Sequence, residues 1–280
     1  AMETVFGTLV APTRFIEANE ADIRAEYPGR ELPAGIRGHF GRRRVRNGPV
    51  RYTGPLRFDV FPSNIGEILR CTYGSVTSSL VNSNASGNAY YHSFAHVNSP
   101  EFPSVTVEQN MGELTAKRIG GARVNQLILE QAQDGILTAD VDFRAKTETL
   151  TTPAAATWPT DRSWDMNDFT VQIDSLQAVG DDIENMRLTY DLALLDDIWT
   201  ADGVGELSRL PRSDWRLTGQ FDVDFQATSF YLDHKNFNAN REVRLVWDGD
   251  NIQTNSYPTR LEISIAAARV MLTEVPLRPE

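Results

Sequence analysis

Apolar and polar residues alternate with a period of two over most of this chain, and that period predicts strands. Residues 136–145 show it most cleanly. Leu137, Ala139, Val141 and Phe143 share one face, while Thr138, Asp140, Asp142 and Arg144 share the other. The preceding run, 123–130, is joined to it through Asp134-Gly135, a dipeptide suited to a hairpin turn. In 185–195, Met186, Leu188, Tyr190, Leu192 and Leu194 fall on one side. Residues 104–108, 169–176, 242–247 and 260–267 are further strand candidates. The pattern predicts a mainly β protein with antiparallel sheets, each with one solvated face.

A strand-then-helix block occurs twice, and an internal repeat bears on the whole architecture. The first copy, Gly54-Pro-Leu-Arg-Phe-Asp-Val-Phe61, runs into Pro62-Ser-Asn-Ile-Gly-Glu-Ile-Leu69 and stops at Gly74. The second, Gly219-Gln-Phe-Asp-Val-Asp-Phe225, runs into Gln226-Ala-Thr-Ser-Phe-Tyr-Leu232. Asn64 with Glu67 three residues later reads as a capping box, and Ile65, Ile68 and Leu69 form a short apolar stripe. Residues 228–236 would be the matching helix, and 196–210 is ambiguous because Gly203 and Gly205 interrupt it. Gly120-Gly121 reads as a turn. Residues 75–88 are small, polar and poorly patterned, which predicts an exposed loop. Residues 151–162, with Pro153, Pro159 and three alanines, read as a linker. The expected organisation is therefore a first β domain at 1–150, a linker at 151–162 and a second β domain at 163–280.

Composition supports ordinary globular β domains. At 280 residues, 41% hydrophobic and 9% aromatic, the chain can build a sizeable core. The single cysteine, Cys71, allows no intrachain disulfide and fits a reducing compartment; at the end of the apolar stripe it reads as a buried structural residue. No run of about 18 apolar residues predicts a membrane span, and the start does not read as a signal peptide. The net charge of −11 is unevenly placed: residues 1–150 hold 16 basic and 16 acidic side chains, and residues 151–280 hold 11 and 22. An acidic surplus argues against tightly bound nucleic acid, since phosphate affinity rests on clustered Lys and Arg. It is compatible with a surface that nucleic acid passes without sticking. Only Lys117, Lys146 and Lys235 are lysines, through either genome composition or selection for the planar guanidinium.

Motifs for catalysis or cofactors are absent from the reading. There is no phosphate-binding loop, dinucleotide fingerprint or His-Glu-x-x-His. His92 and His96 would suit a metal only on a helix; on a strand they lie about 13 Å apart. Asp248-Gly-Asp-Asn251 lacks the closing glutamate of a calcium loop and reads as a tight turn. The pairs Asp140/Asp142 and Asp222/Asp224 imitate a glycosidase dyad without a recognisable sugar site around them. The one basic cluster, Arg42, Arg43, Arg44 and Arg46, has three readings: a short nucleic-acid patch, an exposed loop, or an arm that meets an acidic face on a neighbouring copy.

A resemblance now adds to this reading. Glu3-Thr-Val-Phe-Gly-Thr-Leu-Val-Ala-Pro-Thr-Arg-Phe-Ile16 resembles the start of the major tail tube proteins of long-tailed, siphovirus-type phages, as does the block 54–74. The run 90–94, 103–108, 121–129 and 137–146 is similar to that family's sheet strands, and 219–225 with 261–265 is similar in order. The resemblance implies two tandem tail-tube-type β-sandwich or barrel domains, each with a short flanking helix, and no enzymatic activity or cofactor. Sheets of neighbouring copies would join into an inner barrel, and rings would stack through long loops and terminal arms. The tube would hold the tape-measure protein, meet tail terminator and tail-tip proteins, and conduct DNA during ejection. A duplicated subunit would close as a trimer with pseudo-sixfold symmetry, in a virion tail assembled in the host cytoplasm, with no membrane partner.

On that reading Asp140, Asp142, Asp222, Asp224 and Glu262, on the polar sides of their strands, are the lumen candidates; the alternative is a solvated outer face. Arg42, Arg43, Arg44 and Arg46 are the inter-ring candidates. The rival classes are a related baseplate or secretion-type tube component, and a capsid-decoration or receptor-binding β-module that never polymerises.

Overall fold

The computed structural model describes residues 1–27, 29–31, 45–84, 87–112, 114–173, 183–199, 207–223, 240–252 and 257–269. The protein is mainly β, built of several antiparallel sheets with one α-helix among the described residues. Along the first half run β1 (Ala18–Ala21), β2 (Arg24–Glu26), β3 (Gly29–Glu31), β4 (Val45–Asn47) and β5 (Arg51–Asp59), then α1 (Ile65–Tyr73). The chain continues with β6 (Gly74–Asn84), β7 (Gly87–His96), β8 (Val105–Asn110), β9 (Ala116–Ala132), β10 (Thr138–Ala145) and β11 (Thr147–Thr151). Beyond residue 162 come β12 (Phe169–Ile173), β13 (Ile183–Asp191), β14 (Arg216–Val223), β15 (Asn240–Asn251) and β16 (Pro258–Arg269).

The main sheet has the order β1-β5-β10-β9-β13-β14. Its backbone is β9, whose C-terminal part pairs with β10 and β13 and whose N-terminal part pairs with β8 and β11. Gly120 and Gly121 lie inside this strand and do not form a turn. Gly121 has φ +67°, and a Cβ there would stand 2.9 Å from Lys146 Cβ, so a glycine sits where β9 passes from one partner pair to the other. The strands β13 and β14, from beyond the 151–162 segment, extend the same sheet as β5, β9 and β10.

The alternation read from the sequence produces the core. Leu137, Ala139, Val141 and Phe143 are fully buried, and Met186, Leu188, Tyr190 and Leu192 are buried beside them. A second sheet, β12-β15-β16, covers this face. Trp247 of β15 stacks on Phe169 of β12, with ring centroids 4.7 Å apart, and its indole N–H donates to Gln131 Oε1 of β9 at 2.7 Å. Leu245 and Trp247 are buried against the main sheet, and Val246 on the opposite side of β15 is buried as well. The Leu137 N–H donates to the Trp164 carbonyl, tying the segment before β12 to the start of β10.

Three local expectations are corrected. The capping box at Asn64 does not form. Asn64 is buried, its Oδ1 accepts from the Phe61 N–H and its Nδ2 donates to the Asp59 carbonyl, both at 2.9 Å, which leaves no oxygen for the helix terminus. Residues 75–84 and 87–88 are not a loop but belong to the paired strands β6 and β7. Asp248-Gly-Asp-Asn251 is not a turn; it continues β15, and Asp248 grips Arg260 through two short contacts. The helix expected at 228–236 lies outside the described residues.

The N-terminal segment is strapped along β8. Ala1 and Thr106 exchange backbone hydrogen bonds, and the Glu3 N–H donates to the Ser104 carbonyl. The Glu3 carboxylate accepts four hydrogen bonds, from the Gly7 and Gly121 N–H groups and the Ser104 and Thr106 hydroxyls, at 2.7 to 2.9 Å. Phe6 then lies under the Arg123 guanidinium, 4.6 Å from the ring centroid.

Candidate assembly and channel surfaces

Strand alternation places the even-numbered residues of β10 on the face turned away from the core, and the register carries that face across the sheet. Asp140 stands opposite Arg57 of β5. Thr138, Glu130, Arg187 and Gln220 form one row across β10, β9, β13 and β14. Asp142, Gln126, Asp191 and Arg216 form another. Glu20, Asp59 and Asp222 lie on the same face, so carboxylates outnumber the arginines 57, 144, 187 and 216 there.

Most of these charges are engaged. Arg57 meets Asp140 at 2.6 Å and Glu20 at 3.8 Å, Arg144 meets Asp142 at 2.7 Å and Asp196 at 3.7 Å, and Arg187 meets Glu130 at 2.9 Å. Asn185 donates to Asp222 at 3.0 Å and Asn125 donates to Asp142 at 2.9 Å. The hydrogen bond to Asp140 raises the Arg57 guanidinium above its usual value, so its charge is permanent and held in place. A shallow groove of about 300 Å³, lined by Glu130, Asn185, Arg187, Gln220 and Asp222 among others, continues this face at one end. The chemistry available is that of a wet, acidic surface with most of its cations paired.

Of the five carboxylates singled out in the sequence, the structure brings Asp140, Asp142 and Asp222 onto this one face. Glu262 stands elsewhere. It lies on β16 opposite Val246, on the side of the second sheet turned away from Trp247 and β9, with Arg244 at 3.8 Å. Asp224, Arg42, Arg43 and Arg44 lie outside the described residues. Arg46 is in β4, with its backbone opposite Arg30 of β3. The pairings of Arg57 with Asp140 and of Arg187 with Glu130 could not be read from the sequence, since the partners are far apart along the chain.

Two backbone features point outward. Among the described residues β14 pairs only with β13, which leaves its other edge unpaired. Among the described residues the hairpin β6–β7 pairs only with itself, and it rests by its root on α1, where the Val97 N–H donates to the Tyr73 carbonyl. Residues 74–96 contain no Asp, Glu, Lys or Arg, in a chain that is 23% charged. Towards the far end Leu80, Val81, Tyr90 and Tyr91 are about half exposed or more, from 49% to 61%. A free two-stranded ribbon is marginal in water, and an uncharged one with apolar side chains is an aggregation hazard unless something covers it.

The remaining sequence candidates do not converge on a catalytic centre. Cys71 is buried, and burial pushes its thiol up to about 12. His92 bonds to Ser78 across the hairpin, whereas His96 packs on Trp215. Among the described residues no group of His, Cys, Asp and Glu has an arrangement that could hold a metal ion.

In comparisons with known proteins, a family model described as phage tail tube protein matches residues 1–271. No curated protein matches the chain.

Proposed function

We propose that this chain, which belongs to the phage tail tube protein family, closes into rings whose channel is lined by the acidic polar face of the main sheet. Family membership makes it a structural subunit that self-assembles into a tube in the virion tail. The observation that carries the finer reading is the two-faced main sheet, buried on one side, acidic and wet on the other, and, among the described residues, unpaired along β14. An unpaired sheet edge is a liability that ring closure removes. Duplex DNA meeting such a face finds carboxylates in excess and Arg57, Arg144 and Arg187 already partnered, so it slides during ejection instead of binding. A tape-measure protein would occupy the same channel beforehand, with terminator and tip proteins at the two ends of a siphovirus-type tail.

The uncharged hairpin β6–β7 and the arginine segment 42–46 are the proposed contacts between rings. A contact through the hairpin would cover the exposed Tyr90, Tyr91, Leu80 and Val81. The repeated block is the basis for a duplicated subunit divided near 151–162, its halves joined through the β9–β13 pairing, three copies of which make a ring with pseudo-sixfold symmetry.

Negative-stain electron microscopy over a concentration series tests the reading. Hollow rings or tubes are expected, and native mass spectrometry of the rings separates three copies from six. Dispersed compact particles at every concentration, even with tail-tip complex added, would favour a virion β-module that does not polymerise.

The channel assignment has its own test. Changing Asp140, Asp142 and Asp222 together to Asn removes the direct partner of Arg57 and one partner of Arg144. Tubes polymerised with short duplex DNA should then retain nuclease-resistant DNA at low salt and release it steeply as salt rises, by roughly one power of salt concentration per freed arginine. The Glu262→Gln tube should behave as the unaltered one. Equal retention by the triple variant and the unaltered tube would remove this face from the channel.

A further inference from the structure

His96 ends β7 at the root of the hairpin, and its surroundings come from three separate stretches of chain. Its imidazole lies against Trp215, with ring centroids 4.5 Å apart and 35° between planes. Phe102 stands 5.9 Å away and Tyr190 of β13 stands 6.3 Å away. Arg212 closes the cluster. Its guanidinium covers the Phe102 ring at 4.7 Å, Nη2 donates to the Val97 carbonyl at 2.8 Å, and Nη1 meets His96 Nε2. A guanidinium has only donors, so Nε2 must offer its lone pair and the imidazole is neutral, with its proton on Nδ1. The Arg212 backbone is anchored as well, its N–H donating to the Pro100 carbonyl.

This contact ties the hairpin root to the segment that enters β14, the edge strand of the main sheet among the described residues. The other titratable groups around it do not offset a second positive charge. Tyr73 from α1 and Tyr190 from β13 are phenols pushed upward by burial. Glu101, in the segment before β8, is engaged with Arg123 at 3.7 Å, and Asp214 accepts the Trp215 N–H. Arg212 is the charge that meets the ring.

We propose that His96 is an acid-sensitive latch. While neutral, it accepts from Arg212 and holds the hairpin β6–β7 to the approach of β14; once protonated, it sets two cations in contact and releases the hairpin. The latch stands on this geometry alone. That it would govern contacts between rings rests on the tube reading.

The direction in pH follows from the shift. Burial first and Arg212 second hold His96 below its ordinary value. Its folded pKa is therefore depressed below the unfolded value of about 6.5. The tie is fully present above about pH 6.5 and weakens as pH falls from there to the folded pKa, because over that window the released state binds the extra proton. At neutral pH the hairpin is latched.

Hydrogen exchange on the full unassembled chain, corrected for intrinsic rates, reads the latch without requiring assembly. Protection of amides in 87–97 should fall by up to about tenfold per pH unit across that window. His96→Phe, which keeps a ring against Trp215 but cannot titrate, should flatten the dependence. Should that variant fold poorly, histidine NMR on the unaltered chain and on Arg212→Met supplies the second readout. The His96 titration should lie below the ordinary value and move up when the guanidinium is removed. A titration at the ordinary value that Arg212→Met leaves in place would overturn the latch, as would the same acid loss of protection in His96→Phe. Either failure leaves the tube reading untouched, because microscopy tests that separately.

Discussion

Gly54→Ala is expected to destabilise the protein by about 3 kcal/mol or more and to strip β1 and β2 from the main sheet. Gly54 has φ +156°, and a Cβ there would lie 2.0 Å from the Asp22 carbonyl oxygen and 2.8 Å from the Ile23 Cα. These are backbone atoms, so no side-chain rotation relieves the overlap. The chain cannot retreat to the other side either, because Gly54 is paired there with Phe143 of β10. Gly219, which opens the second copy of the repeated block, makes the control. A Cβ at that position meets the Phe221 ring at 3.1 Å and Leu188 at 3.6 Å, both movable side chains. Gly219→Ala should fall within about 1 kcal/mol of the unaltered protein, helped by the reduced freedom of the unfolded chain. Urea midpoints of the two variants measure the difference. Equal midpoints would mean that the two glycines are held alike and that the close approach of Asp22 does not constrain β5.

Trp247→Ala should be the other severe change, at about 3–5 kcal/mol for the lost side chain and its cavity. Trp247 is fully buried, stacks on Phe169, and is the donor that satisfies Gln131 Oε1 inside the core. Its removal therefore also strands a buried acceptor, at a further cost of about 1–3 kcal/mol. Against a total stability of about 5–15 kcal/mol, that is enough to prevent accumulation of folded protein. Trp247→Phe separates the two effects, keeping a ring on Phe169 while removing the donor. Adding Gln131→Leu to Trp247→Phe should recover part of the loss, because both partners of the hydrogen bond are then gone. If Trp247→Ala unfolds at the same urea concentration as the unaltered protein, the second sheet does not pack on β9 through this residue.

Several elements were legible in the sequence because their burial is one-sided. The strand β10 reads as four apolar residues alternating with polar ones because Leu137, Ala139, Val141 and Phe143 face the core and their neighbours face water. The same holds for Met186 to Tyr190 in β13, and for Ile65, Ile68 and Leu69 on the buried side of α1. The first strand of the hairpin, β6, was illegible for the converse reason. Leu80 and Val81 are about half exposed, no apolar period marks the strand, and its small polar residues look like a loop, whereas residues 90–96 of β7 read as a strand. Asn64 misled because its side chain has a choice of backbone partners, and its burial among Phe61 and Asp59 settles that choice.

The candidate surfaces divide along the same line. The sequence by itself determined that Asp140, Asp142, Asp222 and Glu262 sit on the polar sides of strands, and that this is a β protein with an acidic surplus in its second half. Alternation is a local property, set by a two-residue repeat and by which side is dry. Only the tertiary structure decided which polar sides belong together. Asp140, Asp142 and Asp222 share a face because β14 joins β9 through β13, while Glu262 is carried to the other side of the core by β16. Arg57 and Arg187 on the acidic face, and Arg212 against His96, are likewise brought in by strand pairing and loop packing over long stretches of chain, with 83 residues between Arg57 and Asp140 and 116 between His96 and Arg212, whereas Arg144 reaches Asp142 on its own strand. Such encounters are fixed by the closing of the whole core, and no local pattern carries them.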